Sequence, residues 1–130
     1  MSANIETREI PRDEWPSFFD TFSHQHEGWL TNLEVFGPDI GAQEEAHELP
    51  LGGIGIDSGA SERAAIAITL GKSPDDHLTH VVPGPEHVWL EQTTEGANAA
   101  LEIISADETK TLLRFRSTLP PEMVDGVVFD

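Results

Sequence analysis

Between Trp29 and Phe115 apolar residues recur at every second position, in short runs broken by glycine, proline and aspartate. A period of two puts one set of side chains on one face of a strand, so this stretch folds as sheet and not as helix. Trp29, Thr31, Leu33 and Val35 share one face of a strand that ends at Gly37-Pro38. Residues 42–49 (AQEEAHEL) read as a polar strand suited to a sheet edge. Leu51, Ile54 and Ile56, set among Gly52, Gly53 and Gly55, read as its bent or bulged continuation. Asp57-Ser58-Gly59 makes a turn. Ile66, Ile68 and Leu70 alternate with Ala65, Ala67 and Thr69 in a half-buried strand, and Gly71 to Asp76 is a loop. Strands at Leu78–Val82 and Val88–Glu91 are parted by Pro83-Gly84-Pro85, and Gly96 to Asn98 is a loop. A hairpin closes the series: Leu101 and Ile103, the turn Ser105-Ala106-Asp107-Glu108, then Thr111, Leu113 and Phe115.

One segment has the other period. Trp15, Phe18, Phe19 and Phe22 stand at i, i+3, i+4 and i+7, one apolar face of a helix. Asp13 serves as N-cap, Glu14 suits the positive end of the helix dipole, and Pro16 falls in the first turn, where its missing N–H costs nothing. Gly28 closes the segment, so the helix is expected at about 13–24. Residues 1–12 form an extended lead-in anchored by Ile5 and Ile10. From Leu119 the tail carries Pro120-Pro121 and then Val127, Val128 and Phe129, and it is expected to dock over 119–130.

These elements predict a mainly β chain (α+β by count). The expected architecture is a small SH3-like antiparallel β-barrel of five to seven strands with one N-terminal amphipathic helix plugging an open end. Residues 1–130 are expected to form a single domain, with strands between 29 and 116.

Twenty-four acidic side chains against seven basic ones leave a formal net charge of −17. Exposed charges feel each other over about 10 Å at 0.1 M salt and about 3 Å at 1 M. Only Lys72 and Lys110 are lysines; the other basic residues are arginines. Low lysine with abundant carboxylates predicts a salt-adapted cytoplasm, with inorganic cations around the acidic surface; a plain acidic protein of high arginine content is the alternative. The charge argues against nucleic acid and anionic membrane as partners, because both demand a basic footprint, so neither is expected. Absent cysteine excludes thiolate catalysis and zinc–thiolate sites. Residues 1–25 hold no apolar core of a signal peptide, and no stretch reaches a membrane span of about 18 residues, so the expected location is cytoplasmic.

The histidines form two weak metal candidates. His24 and His26 precede Glu27, but a cupin-like carboxylate would fall at Leu30 or Thr31, and at a helix end the two rings diverge. His77 and His80, beside Asp75 and Asp76, point to opposite faces of a strand and converge only in a loop. No metal and no cofactor is expected. Gly71-Lys72-Ser73 has Ile66 where a phosphate loop needs glycine, Gly52-Gly53-Ile54-Gly55 misses the dinucleotide fingerprint, and Ser17, Ser23 and Ser58 lack a nucleophile elbow. The carboxylates are too numerous to single out a catalytic pair. Arg114 and Arg116 share one face of the last strand, opposite Leu113 and Phe115. They either pair across strands with Glu102 and its neighbours or anchor an acidic ligand. If Val88 and Leu90 face the core, Trp89 is exposed and marks an interface.

The opening REIPRDEWPSFFDTFSHQHEGWL, Arg8 to Leu30, resembles that of a family of small uncharacterised bacterial proteins, a domain-of-unknown-function family. LEIISADETKTLLRF, Leu101 to Phe115, resembles the family's closing hairpin. The resemblance covers nearly the whole chain and carries no catalytic or ligand residue with it. The family hairpin has glycine after the aspartate; Glu108 stands there here, which implies a turn longer than type I′.

The expected role is a non-enzymatic interaction or assembly module, binding a protein partner or a second copy through Trp89, Arg114 and Arg116. A metal-assisted enzyme on the histidines, an Sm-like RNA binder and an acidic nucleic-acid mimic are the alternatives; bound metal or the captured partner would discriminate them.

Overall fold

The computed structural model describes residues 5–39, 41–57, 65–73, 76–93 and 98–115. Among the described residues there are eight strands: β1 (Ile5–Glu9), β2 (Leu30–Gly37), β3 (Gly41–Asp57), β4 (Ala65–Ser73), β5 (Asp76–Pro83), β6 (Pro85–Thr93), β7 (Asn98–Ser105) and β8 (Lys110–Phe115). They pair antiparallel in the order β1-β6-β7-β8-β2-β3-β4-β5. A 3-10 turn at Arg12–Glu14 leads into the helix α1, Trp15–His26.

The structure is thus mainly β with one N-terminal helix, as the periodicities require. The sheet is open, however: β1 and β5 end the order and do not pair with each other, and there are eight strands where five to seven were expected. The closed barrel is therefore corrected. Half-buried strands read alike in an open and a closed sheet; only the pairing of the end strands separates the two.

β3, 17 residues long, changes partner along its length. Its first part pairs with β2 up to Pro50 and its second with β4 from Leu51, and the register with β2 shifts beside Glu48. Glu48 takes φ +52, a left-handed conformation that a side chain rarely adopts. Two bonds from β2 hold it there. Asn32 Oδ1 accepts the Glu48 N–H at 2.7 Å, and Thr31 Oγ1 donates to the Leu49 carbonyl at 2.9 Å. Just beyond, a Cβ on Gly52 would sit 3.1 Å from the Thr69 carbonyl oxygen, so glycine lets β3 and β4 approach. The sheet covers one core, with Leu33 from β2, Ile54 from β3, Ile68 from β4, Val88 from β6, Leu101 from β7 and Leu113 from β8.

Helix α1 buries Trp15, Phe19 and Phe22, each worth about 2–3 kcal/mol of transfer free energy. Past Pro50, β3 has lost β2 as a neighbour, and α1 supplies the missing bonds. Ser23 Oγ accepts the Ile54 N–H at 2.8 Å and donates to the Ile54 carbonyl at 3.1 Å. Gly28 N–H donates to the Leu51 carbonyl and Leu51 N–H to that of Trp29, both at 2.8 Å. Arg12 lies 4.5 Å over the Trp15 ring and donates to the Pro85 carbonyl at 2.8 Å, tying the helix start to the head of β6.

Three local expectations change. Asp13 belongs to the 3-10 turn; Glu14 is the N-cap, without a side-chain cap bond, and the α-helix runs two residues past the expected end, to His26. Part of the lead-in is a strand, because β1 pairs with β6. The expected loop from Gly71 is largely strand, with Gly71 opposite His77 and Ser73 opposite Asp76. Ser58-Gly59, most of Gly96–Asn98, Arg116 and the tail over 119–130 lie outside the described residues.

Candidate functional site

The alternation that buries Val88 and Leu90 turns Trp89 to the outer face of β6, where it is half-buried. The register places Glu102 of β7 opposite Trp89, and Leu112 of β8 opposite Glu102, with Glu34 of β2 beyond it. Along β8 the outward residues are Lys110, Leu112 and Arg114. Leu112 is only 7% exposed although it points away from the core, because its neighbours rise around it.

Glu102, Lys110, Leu112 and Arg114 help to line a groove of about 520 Å³ on this face; Trp89, opposite Glu102, is not among its lining residues. Ala100 and Leu112 form its floor, Phe36 and Glu91 stand at its sides, and the cations Lys110 and Arg114 flank the floor along β8. Lys110 Nζ lies 3.3 Å from Glu102, and Arg114 Nε lies 3.6 Å from Glu34. Both pairs are partly exposed, so each holds its cation with about 1 kcal/mol or less. A carboxylate arriving from outside competes with them on nearly equal terms.

Of the residues singled out in the sequence, Arg114 lines this groove and Trp89 does not; Lys110 and Leu112, which do, were not singled out. The signal was there: Lys110, Leu112 and Arg114 have the same parity, so a face assigned to Arg114 belongs to all three. Glu34 as the partner of Arg114 was not legible, because sequence does not reveal that β2 lies beside β8. Arg116 lies outside the described residues.

The histidines do not converge. His24 Nδ1 donates to the Asp20 carbonyl at 2.8 Å and is exposed, whereas His26 is buried at 3% exposure, with Nδ1 donating to the Phe22 carbonyl at 2.8 Å. Burial pushes the His26 pKa below its ordinary value, against the smaller opposing effect of the Phe22 bond. The rings of Phe22, Trp29 and Phe115 surround it. His77 is exposed on β5 and His80 half-buried on its opposite face. Among the described residues no three His, Asp or Glu gather as metal ligands.

A smaller cavity of about 190 Å³ brings Ser105, His80 and Asp107 to one wall, residue types that in another arrangement make a nucleophile and its relay. Here Ser105 Oγ is buried without a hydrogen-bond partner among the described residues, so none of their bases engages it. Asp107 serves the hairpin turn: its carboxylate accepts the Thr109 N–H at 3.0 Å, and this bond is the largest cause holding its pKa below the ordinary value.

The class defined by this geometry is an acidic, open-sheet β protein with a mixed apolar and charged groove on its outer face. The chain belongs to DUF5335, a family of unknown function, which matches residues 6–123. It is similar to an uncharacterized protein of Aquifex aeolicus (strain VF5), 25% identical over 116 residues that cover 89% of this chain and 97% of that one. No solved structure matches it. No helix among the described residues is long and apolar enough to cross a membrane.

Proposed function

We propose that this protein is a non-enzymatic interaction module that receives an acidic, partly apolar segment of a partner protein in the groove lined by Lys110, Leu112 and Arg114, with Trp89 beside it on β6, in a salt-adapted cytoplasm. The observation that carries this reading is the placement of Lys110 and Arg114 around the apolar floor of Leu112, on a chain of net charge −17. Elsewhere such a surface repels an acidic partner; here two weakly held cations await one. Trp89, beside Glu102 at the groove's flank, supplies rigid apolar area of the kind that anchors interfaces. Molar salt screens the long-range repulsion between two acidic chains while leaving apolar contact intact.

The test is capture at molar KCl on immobilised wild-type chain, Trp89→Ala and Arg114→Glu. Proteins retained by the wild type and lost from both variants, with melting temperatures nearly unchanged, support the reading. A Trp89→Ala chain destabilised by roughly 3–5 kcal/mol, the cost of truncating a core aromatic, overturns it.

A further inference from the structure

The open sheet leaves three backbone edges among the described residues: β1, the first part of β3, and β5. Exposed edges template unwanted pairing, and charged residues are the usual guard. β1 carries Glu6, Arg8 and Glu9, and the first part of β3 carries Glu44, Glu45 and Glu48. β5 carries one carboxylate, Asp76, at its first residue. From His77 to Pro85 there is no carboxylate, and between Glu62 and Glu86 the chain has only Asp75 and Asp76. The outer face beside this edge is neutral as well, with Ala67 of β4 opposite Val81 and Thr69 opposite Thr79. Val81, at 46% exposure, is the one exposed large hydrophobic residue among those described.

We propose that β5 is a self-association edge, where a second copy of this chain pairs antiparallel across a two-fold axis and one sheet runs through both copies. The charge distribution selects this occupant. Two copies of a −17 chain repel each other wherever carboxylates meet, and β5 is the open edge on which they do not. A two-fold centred on Thr79 sets Asp76 of one copy opposite Val82 of the other, and one centred on His80 sets His77 opposite Pro83. In neither register does carboxylate face carboxylate. A two-fold contact needs a self-complementary strand, and the run His77-Leu78-Thr79-His80-Val81-Val82 meets itself without a buried charge. This surface is separate from the groove at Trp89 and does not depend on its role.

The test is sedimentation equilibrium of the full chain in molar KCl, comparing wild type, Val81→Glu and Trp89→Ala, with melting curves to show that each is folded. The expected result is a concentration-dependent wild-type dimer. Val81→Glu should raise its dissociation constant by about tenfold or more, since one substitution enters the symmetric contact twice, and Trp89→Ala should leave it unchanged. Amide exchange in β5 should slow with rising protein concentration while that in β1 does not. A wild-type chain that stays monomeric up to about 1 mM, beyond which association is too weak to matter, overturns the proposal. So does a folded Val81→Glu chain that dimerises as the wild type does, or a dimer lost in Trp89→Ala instead.

Discussion

The imidazole of His26 lies stacked on the ring of Phe115, centroids 4.8 Å apart and planes 18° apart. The contact joins the last residues of α1 to the last of β8, and it requires a neutral ring in apolar surroundings. Because burial lowers the pKa in the folded state from 6.5, the unfolded chain takes up a proton first as the pH falls. Stability contributed here is full above 6.5 and is lost as the pH drops from there toward the folded value. The His26→Phe variant should lose less stability over that window, the difference reaching at most about 1.4 kcal/mol per pH unit. Urea denaturation at several pH values checks it; parallel profiles would show that another group governs acid sensitivity.

Ser23 stands in for a missing strand, using one hydroxyl to satisfy both the N–H and the carbonyl of Ile54. Ser23→Ala strands two partly buried backbone groups and should cost about 1–3 kcal/mol. Ser23→Thr, which keeps the hydroxyl, should retain most of the stability. Equal losses in the two variants would point to packing rather than bonding.

Glu108 has φ +72 in the tip of the β7–β8 hairpin. Its N–H donates to the Ser105 carbonyl, and Ser105 N–H donates to that of Thr109, each at 2.9 Å. This is a type I turn followed by a left-handed residue, the three-residue form, and so longer than type I′. Glu108→Gly should stabilise the chain by about 0.5–1 kcal/mol, because glycine takes this conformation without strain. A thermal melt that fails to rise would mean the turn relaxes elsewhere.

Ser105 buries a hydroxyl that no group among the described residues satisfies. Ser105→Ala should therefore be neutral or raise stability by about 1 kcal/mol. A loss of that size, measured by denaturant titration, would show that the hydroxyl serves a bound molecule in the adjoining cavity.

Self-repulsion at −17 predicts a melting temperature that climbs from low to molar KCl, with divalent cations acting at lower concentration. A melting curve indifferent to salt would reduce the acidity to plain solubility.

Strands with one wet face were the legible part of this fold. Thr31, Leu33 and Val35, and likewise Ile66, Ile68 and Leu70, are buried in strict alternation, so sequence alone places them. The residues of β1 alternate too little to be seen: Ile5-Glu6-Thr7-Arg8-Glu9 is a strand because β6 offers it a backbone ladder. The register shift beside Glu48 was invisible for another reason, since that residue's left-handed backbone is held by Asn32 and Thr31 from a neighbouring strand. On the outer face, the positions of Trp89 and Arg114 followed from parity, whereas the partners of the cations depended on strand order. Closure failed for the same reason: whether two end strands meet is decided by pairings no local window contains.

The pairing of Ile5 with Thr93 also has a consequence during synthesis. β1 leaves the ribosome well before its neighbour, which lies among the residues that follow Pro85. At about 5–20 residues per second, β1 waits several seconds for that neighbour with its backbone edge unpaired. An acidic chain can endure that interval without sticking to its fellows on a polysome. The surplus of carboxylates protects the unfinished molecule as well as the finished one.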